Sequence, residues 1–176
     1  VSSVDSLNAM FWGASSFNQS INAWDTRNVT DIGYLFYGAS SFDQDLDQWD
    51  VSSVDSLNAM FWGASSFNGN ISSWNTSSVT TMNSMFDGAT SFDQDLGSWN
   101  ISSLDDATNM FNGVTLSTSN YDSLLIGWGA QSPSIINDTV FSGGNSRYSV
   151  DAIAGRANLT DGHNWSITDG GINASN

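Results

Sequence analysis

The stretch VSSVDSLNAMFWGASSFN occupies residues 1–18 and recurs without a change at residues 51–68. A shorter segment, SFDQDL, occurs at residues 41–46 and again at 91–96. The 50-residue spacing divides into two related units of 25 residues. Such units begin at Val1, Thr26, Val51, Thr76 and Ile101. A fixed period of this length is typical of solenoids, in which each unit packs on its neighbours.

Each unit carries apolar residues at the positions equivalent to Val4, Leu7, Met10, Phe11 and Ala14. Their spacing matches one face of a short helix rather than the alternation of a strand. A candidate N-cap, aspartate or threonine, occupies the fifth position of every unit, and a glycine occupies the thirteenth. We therefore predict one short helix in each unit, with its apolar face in the core.

The second half of each unit contains a phenylalanine, an isoleucine or leucine, and a tryptophan at fixed positions. The segment that follows, such as WDVSSV at residues 49–54, is rich in β-branched and small polar residues. This composition predicts a strand that pairs with its equivalents in neighbouring units. We expect a core made of stacked Phe, Met, Leu and Trp columns.

The repeat stops near residue 114, and the remaining residues form a different pattern. Residues 121–128 and 150–160 predict helices, whereas residues 139–141 and 165–168 predict strands. The end of a solenoid needs a cap, because its last unit would otherwise expose core. We therefore predict five repeats over residues 1–114, the last one partial, followed by a continuous capping module over residues 115–176. Since Val1 begins in phase with the repeat, we expect the chain to be part of a longer array.

The units VTDIGYLFYGASSFDQDLDQWD (residues 29–50) and VTTMNSMFDGATSFDQDLGSWN (residues 79–100) resemble the repeats of BspA-like surface proteins of the mycoplasma-lipoprotein type. The core F-x-G-A-x-x-F-(N/D)-Q…W carries the resemblance, and the stretch YDSLLIGW…WSITDGG resembles the segment that follows such repeats. The resemblance implies a leucine-rich-repeat-like solenoid, a secreted or cell-surface location, and a role in adhesion or protein–protein contact. The chain departs from these repeats in having no lysine.

The predicted fold class is therefore α/β: a right-handed leucine-rich-repeat-like solenoid with one short helix and one short strand per unit, and a C-terminal α/β cap. A parallel β-helix is the alternative fold. The helical spacing and the glycine after each apolar face favour the first of the two.

Charge excludes several functions. All 18 acidic residues are aspartates, the cations are three arginines, and the net charge is −15. Phosphate backbones and anionic membrane surfaces would repel such a chain, so we expect no nucleic-acid partner. No apolar run approaches the length of a membrane span, so we expect no direct membrane insertion.

Catalytic chemistry has few candidates in this sequence. There is no cysteine, and the single histidine, His163, lies in DGHNW. We interpret it as a solvated loop histidine, and we predict a non-enzymatic protein with no catalytic residue. No cofactor is expected, apart from calcium as a minor alternative.

Calcium prefers several oxygen ligands, which alternate in DQDLD at residues 43–47 and in DQD at residues 93–95. The candidate ligands are Asp43, Asp45, Asp47, Asp93 and Asp95. Equivalent positions in other units hold Asn or Ser, and a calcium loop of the EF-hand type would need a central glycine and a glutamate. Turns built from Asn and Asp are the alternative interpretation.

The best candidate for a contact surface is position twelve of the units, which holds Trp12, Tyr37 and Trp62 and then Asp87 and Asn112. The core does not need large aromatics at this position, because later units replace them with polar residues. An exposed aromatic row would stack on sugar rings or anchor a partner protein. The alternative is that the rings pack across neighbouring units.

Nine asparagines begin N-x-S/T sequons and are candidate glycosylation sites in a suitable host. They are Asn18, Asn28, Asn70, Asn75, Asn100, Asn137, Asn158, Asn164 and Asn173.

We expect an extracellular adhesion module that binds surface proteins or glycans. The alternative is a structural spacer or filament subunit that binds copies of itself by head-to-tail stacking.

Overall fold

The computed structural model describes residues 3–173, so Val1, the predicted start of the first repeat, lies outside the described residues. The helices are α1 (Thr118–Gly129) and α2 (Ile153–His163), and a 3₁₀ turn at Val150–Ala152 leads into α2. The strands β1 (Asp106–Ala107), β2 (Val140–Ser142) and β3 (Ser166–Thr168) form one parallel sheet in the order β1-β2-β3. Regular secondary structure is therefore concentrated in the C-terminal part of the described chain.

The predicted fold class, a right-handed leucine-rich-repeat-like α/β solenoid, is wrong. The described units consist of turns and single-residue bridges, apart from the two-residue strand β1 in the last unit, and none of them contains both a helix and a strand. Parallel contacts between units are isolated bridges, such as Ser6–Asp31 and Ser56–Thr81. The alternative, a parallel β-helix, would need strands in every unit, and only the last of the described units contains one. The regular elements of residues 3–173 are two α-helices, one 3₁₀ turn and a three-stranded parallel sheet.

The backbone explains why no helix forms in the units. The ninth residue of each unit has a left-handed conformation, with φ between +48 and +57 from Ala9 to Asn109, and such a residue ends a right-handed helix. The N–H groups of Leu7, Ala9 and Phe11 donate to carbonyls 24 residues further along the chain, at 2.8 to 3.0 Å. Bonds to the next unit thus replace the bonds that a helix would make within one unit.

The apolar columns predicted from the repeat are buried in the later units, whereas in the first unit Met10 is 49% exposed. Phe36, Phe61 and Phe86 have no exposed surface, and their ring centroids lie 5.4 and 5.6 Å apart from one unit to the next. A second column joins them, because Phe61 also stacks on Phe67 at 3.8 Å. Since aromatic burial and stacking are large favourable contributions, these columns hold neighbouring units together.

The helices and strands predicted after residue 114 are present, with shifted bounds. The helix α1 is tied to the last repeat by Trp128, whose indole N–H donates to the carbonyl of Leu96 at 3.0 Å. In the repeats the same kind of bond joins Trp74 to the carbonyl of Leu46 and Trp99 to that of Ile71. The chain after residue 114 therefore continues the core of the repeats.

Candidate interaction face

The predicted aromatic row is one stack of rings in the structure. The ring of Tyr37 lies 4.2 Å from that of Trp12 and 4.4 Å from that of Trp62, with interplanar angles of 20° and 8°. Tyr37 therefore has a ring against each of its faces, and only its edge points outward. Trp12 is 55% exposed and Trp62 is 37% exposed, so the row also presents a large apolar surface to solvent.

Backbone hydrogen bonds set the spacing of the row. The N–H of Gly13 donates to the carbonyl of Tyr37 at 2.7 Å, and that of Gly38 donates to the carbonyl of Trp62 at 2.6 Å. These glycines have φ near +70, a conformation that side chains strongly disfavour. An added Cβ at Gly38 would still have room, with its nearest neighbour, the Cα of Gly13, 3.8 Å away. The invariant glycine of the repeat is therefore needed for its backbone conformation, which brings the preceding aromatic residues into register.

One member of the face was missed by sequence reasoning. Tyr34 is 38% exposed, and its ring lies 5.6 Å from that of Trp12 and 6.2 Å from that of Tyr37. It occupies the ninth position of its unit, where the other units hold Ala, Ser or Asn. A tyrosine at a position that the other units keep small was the available signal. We define the aromatic row as Trp12, Tyr34, Tyr37 and Trp62.

The column that carries the row continues into polar residues. The N–H of Gly63 donates to the carbonyl of Asp87, and that of Gly88 donates to the carbonyl of Asn112. Asn112 also donates from Nδ2 to Oδ1 of Asp87 at 2.9 Å. One side of the molecule therefore changes along its length from exposed aromatic rings to a carboxylate and amides.

The candidate calcium ligands all accept hydrogen bonds from within the chain. Asp43 and Asp45 accept the backbone N–H groups of Asn68 and Asn70, each at 2.8 Å. Asp47 accepts from Nδ2 of Asn22 at 2.7 Å. In this arrangement each carboxylate joins two neighbouring units.

The remaining two candidate ligands connect the repeats to α1. Asp93 accepts from the backbone N–H and hydroxyl of Ser117, which is the N-cap of α1. Asp95 accepts from the hydroxyl of Ser123 at 2.7 Å. Among the described residues, no group of three or more Asp or His side chains is placed to hold a metal ion. Calcium binding stays a prediction.

None of the nine sequon asparagines is buried. Several take part in the hydrogen bonding of the fold: Asn18 accepts the N–H of Asp43 at 2.9 Å, and Asn158 donates to the carbonyl of Gly129 at 3.3 Å. Asn28, Asn70, Asn75, Asn100, Asn137, Asn164 and Asn173 also have partners. Glycosylation of these residues stays a prediction.

His163 is not the solvated loop residue that the sequence suggested. It ends α2 and is 8% exposed, with Nδ1 2.9 Å from Oδ1 of Asn137 and Nε2 3.1 Å from the hydroxyl of Ser132. An amide oxygen only accepts, so Nδ1 carries a proton, and in the neutral ring Nε2 accepts from the hydroxyl. Ser132 and Asn137 are exposed at the surface. The three side chains attach the loop after α1 to the end of α2.

A buried polar cluster was also missed by sequence reasoning. The hydroxyl of Tyr121 and Nε of Arg156 each donate at 2.9 Å to Oδ2 of Asp169, whose side chain is 3% exposed. Burial raises the pKa of the Tyr121 hydroxyl, as does the nearby charge of Asp169, so the hydroxyl remains a donor. The burial of Arg156 alone would lower its pKa, but its hydrogen bond and ion pair with Asp169 raise it. The cluster connects α1, α2 and the turn after β3.

The chain is a protein with a 25-residue sequence repeat, and this repeat places the aromatic row on its surface. A family model described as "Mycoplasma protein of unknown function, DUF285" matches residues 1–73 and 44–140. Because these matches span more than half of the chain, the chain belongs to this family. No curated protein and no solved structure matches it. No helix among residues 3–173 is long and apolar enough to cross a membrane.

Proposed function

We propose that this chain is an extracellular, non-enzymatic adhesion module of the BspA-like kind, which binds a partner through the aromatic row. The main observation that supports this proposal is the stack of Trp12, Tyr37 and Trp62 at the surface, which Tyr34 joins. Tryptophan and tyrosine are the residues that most often dominate the binding energy of protein interfaces. The repeat motif F-x-G-A-x-x-F supports the kinship with BspA-like proteins.

The stacking geometry favours a protein partner over a sugar at the centre of this row. A sugar ring packs on the open face of an aromatic ring, but both faces of Tyr37 are covered by Trp12 and Trp62. The exposed parts of these rings offer apolar contact, and tryptophan and tyrosine also carry a polar group, which suits the side chains of a protein. Since the rings already pack on each other, little side-chain entropy is lost on binding.

The charge of the chain bears on the alternative of self-assembly. Each copy carries a net charge of −15, so two copies repel each other at low ionic strength. This favours binding to a different surface over a filament built from this chain alone. The filament proposal predicts a solution mass that rises with concentration, whereas the adhesion proposal predicts a constant mass.

The test compares the native chain with a variant in which Trp12→Asn, Tyr37→Asn and Trp62→Asn are combined. Asparagine is chosen because Asn112 occupies the same column in the fifth unit, so the substitution suits the local backbone. Both proteins are applied to immobilised extracellular matrix proteins and to a glycan array, after circular dichroism has shown that both are folded. We expect the native chain to bind a protein target and the variant to bind at least tenfold more weakly.

The matched control carries Gln19→Ala and Ser20→Ala, two exposed polar residues that are not members of the row. This control should bind as the native chain does. Equal binding by the native chain and the row variant would contradict the proposed role of the aromatic row. Binding of the native chain to glycans alone would contradict the preference for a protein partner.

A further inference from the structure

A cavity of about 380 Å³ lies where the last repeat meets the parallel sheet. The last repeat contributes Asn109, Asn112 and Gly113, and the segments that end β2 and β3 contribute Ser142, Asn145 and Thr168. Its volume falls within the range of small-molecule sites. No motif in the sequence pointed to it, because its lining comes from three separate parts of the chain.

The position of the cavity follows from the sheet topology. The strands β1, β2 and β3 are parallel, and Ser142 lies directly beside Thr168 in the register. The carboxyl ends of the three strands therefore meet at one edge, where Asn109 also follows β1. In open parallel sheets, the crevice outside the carboxyl ends of the strands is the usual place for a ligand.

Several polar groups that line the cavity are available for hydrogen bonds to a ligand. The side chains of Asn109, Asn145 and Thr168 are exposed and make no hydrogen bond to another residue between 3 and 173. Ser142 accepts the N–H of Asn109 at 3.0 Å, which leaves its own hydroxyl proton to donate. Asn112 is oriented by its bond to Asp87, and its amide oxygen remains to accept. The cavity thus offers both donors and acceptors.

The backbone around the cavity is already shaped. Gly144 also lines it, with φ +64, and an added Cβ would lie 2.1 Å from the carbonyl oxygen of Phe111. Only glycine fits this close approach between the turn after β2 and the last repeat. At Gly113, by contrast, an added Cβ would meet nothing within 4 Å. A ligand would therefore meet a preformed wall rather than one that must be ordered.

Charge and polarity narrow the ligand class. The lining contains no arginine and no histidine, and the chain carries a net charge of −15, which disfavours a phosphate or carboxylate ligand. No carboxylate lines the cavity, which disfavours a metal ion. Amides and hydroxyls replace the apolar lining that an apolar ligand needs. We propose that this cavity binds a neutral saccharide, whose hydroxyl groups bond to Asn109, Asn112, Asn145 and Thr168.

This proposal goes beyond the adhesion function and does not depend on the aromatic row. The two sites lie on one column, because Trp62 is followed there by Asp87 and then by Asn112 at the cavity. A partner bound at the row and a saccharide bound in the cavity would therefore lie along the same side of the molecule. Experiments can therefore support or overturn each of the two proposed sites independently of the other.

The test titrates the native chain with four neutral sugars: lactose, maltose, cellobiose and N,N′-diacetylchitobiose. Binding is detected by saturation-transfer NMR, and sialyllactose serves as an anionic probe. The test variant carries Asn145→Ala and Thr168→Ala, which remove exposed side chains without a partner in the fold. We expect at least one neutral sugar to bind, and the double substitution to weaken it by about tenfold. Sialyllactose should bind more weakly than lactose.

Two controls separate this result from the adhesion proposal. The Gln19→Ala/Ser20→Ala variant and the aromatic-row variant should both bind the neutral sugar as the native chain does. Absence of binding by all four neutral sugars would overturn the proposal, and so would undiminished binding by the Asn145→Ala/Thr168→Ala variant. A loss of sugar binding in the aromatic-row variant alone would place the saccharide site at the row instead.

Discussion

At the residue scale, aspartate and asparagine have the same local role after each tryptophan. The side-chain oxygens of Asp25, Asp50, Asn75 and Asn100 each accept the backbone N–H two residues further on, at 2.9 to 3.4 Å. This is an Asx turn, which needs an acceptor oxygen but no charge. The exchange of Asp for Asn between units is therefore explained by the turn.

Asp50 provides a direct test of this explanation. The hydroxyl and backbone N–H of Ser52 hold the pKa of Asp50 below its ordinary value of 3.8. We expect Asp50→Asn to change the free energy of unfolding at pH 7 by less than about 0.5 kcal/mol. Asp50→Ala removes the acceptor and should cost about 1 kcal/mol. Urea unfolding measures both values.

The pH dependence has a defined sign. Because the pKa of Asp50 is lower in the folded chain, its charged form stabilises the fold at pH values above the unfolded pKa. This contribution is lost as the pH falls through the lower, folded value. Between pH 5 and pH 2.5, the free energy of unfolding should therefore fall less in the Asp50→Asn variant than in the native chain. If Asp50→Asn were as unstable as Asp50→Ala at pH 7, the turn explanation would be wrong.

At the element scale, α1 and α2 approach closely through glycines. An added Cβ at Gly155 would lie 2.5 Å from the carbonyl oxygen of Leu125, and one at Gly129 would lie 2.3 Å from the carbonyl oxygen of Gly155. Backbone atoms cannot move aside as a flexible side chain does, so the helices would have to separate. Their contact sets how the segment after residue 114 packs on itself.

The pair Gly155→Ala and Gly162→Ala tests this helix contact. Both residues lie in α2, but an added Cβ at Gly162 would meet nothing within 4 Å. We expect Gly155→Ala to destabilise the fold by about 1–3 kcal/mol. Gly162→Ala should be neutral or stabilise it by up to about 1 kcal/mol, since alanine favours a helix. Chemical denaturation measures both; similar effects of the two substitutions would refute the close approach.

The elements also show where sequence reasoning failed. The apolar spacing of the units matches a helix, yet the N–H groups of Leu7, Ala9 and Phe11 bond to the next unit. The decisive left-handed residues include Ala9, Tyr34 and Ala59, which have side chains that normally avoid this conformation. Contacts between units thus override local preference, and no local signal in the sequence marked these positions. After residue 114, where helices close their own hydrogen bonds, the predicted elements are present.

At the scale of the whole molecule, the sequence repeat made the aromatic row largely predictable but not the cavity. Comparing equivalent positions showed that Trp12, Tyr37 and Trp62 are not needed by the core, and the structure brings them together. The cavity was not predictable, because Asn109, Ser142 and Thr168 are far apart in sequence and meet only through the parallel sheet. Residues that stack between repeats recur at a fixed spacing in the sequence, whereas residues that come together at the ends of parallel strands show no such spacing.

The aromatic row is the surface that we propose a partner covers, and hydroxyl-radical footprinting tests this in the native chain. Oxidation of each tryptophan and tyrosine is measured by mass spectrometry, with and without the protein target that binds most strongly in the screen. The buried Trp99 and Trp128 serve as internal references that should not change. We predict that binding protects Trp12, Tyr34 and Trp62 by at least threefold. Saturating binding that leaves these three residues as reactive as in the free chain would show that the aromatic row is not the surface that the partner covers.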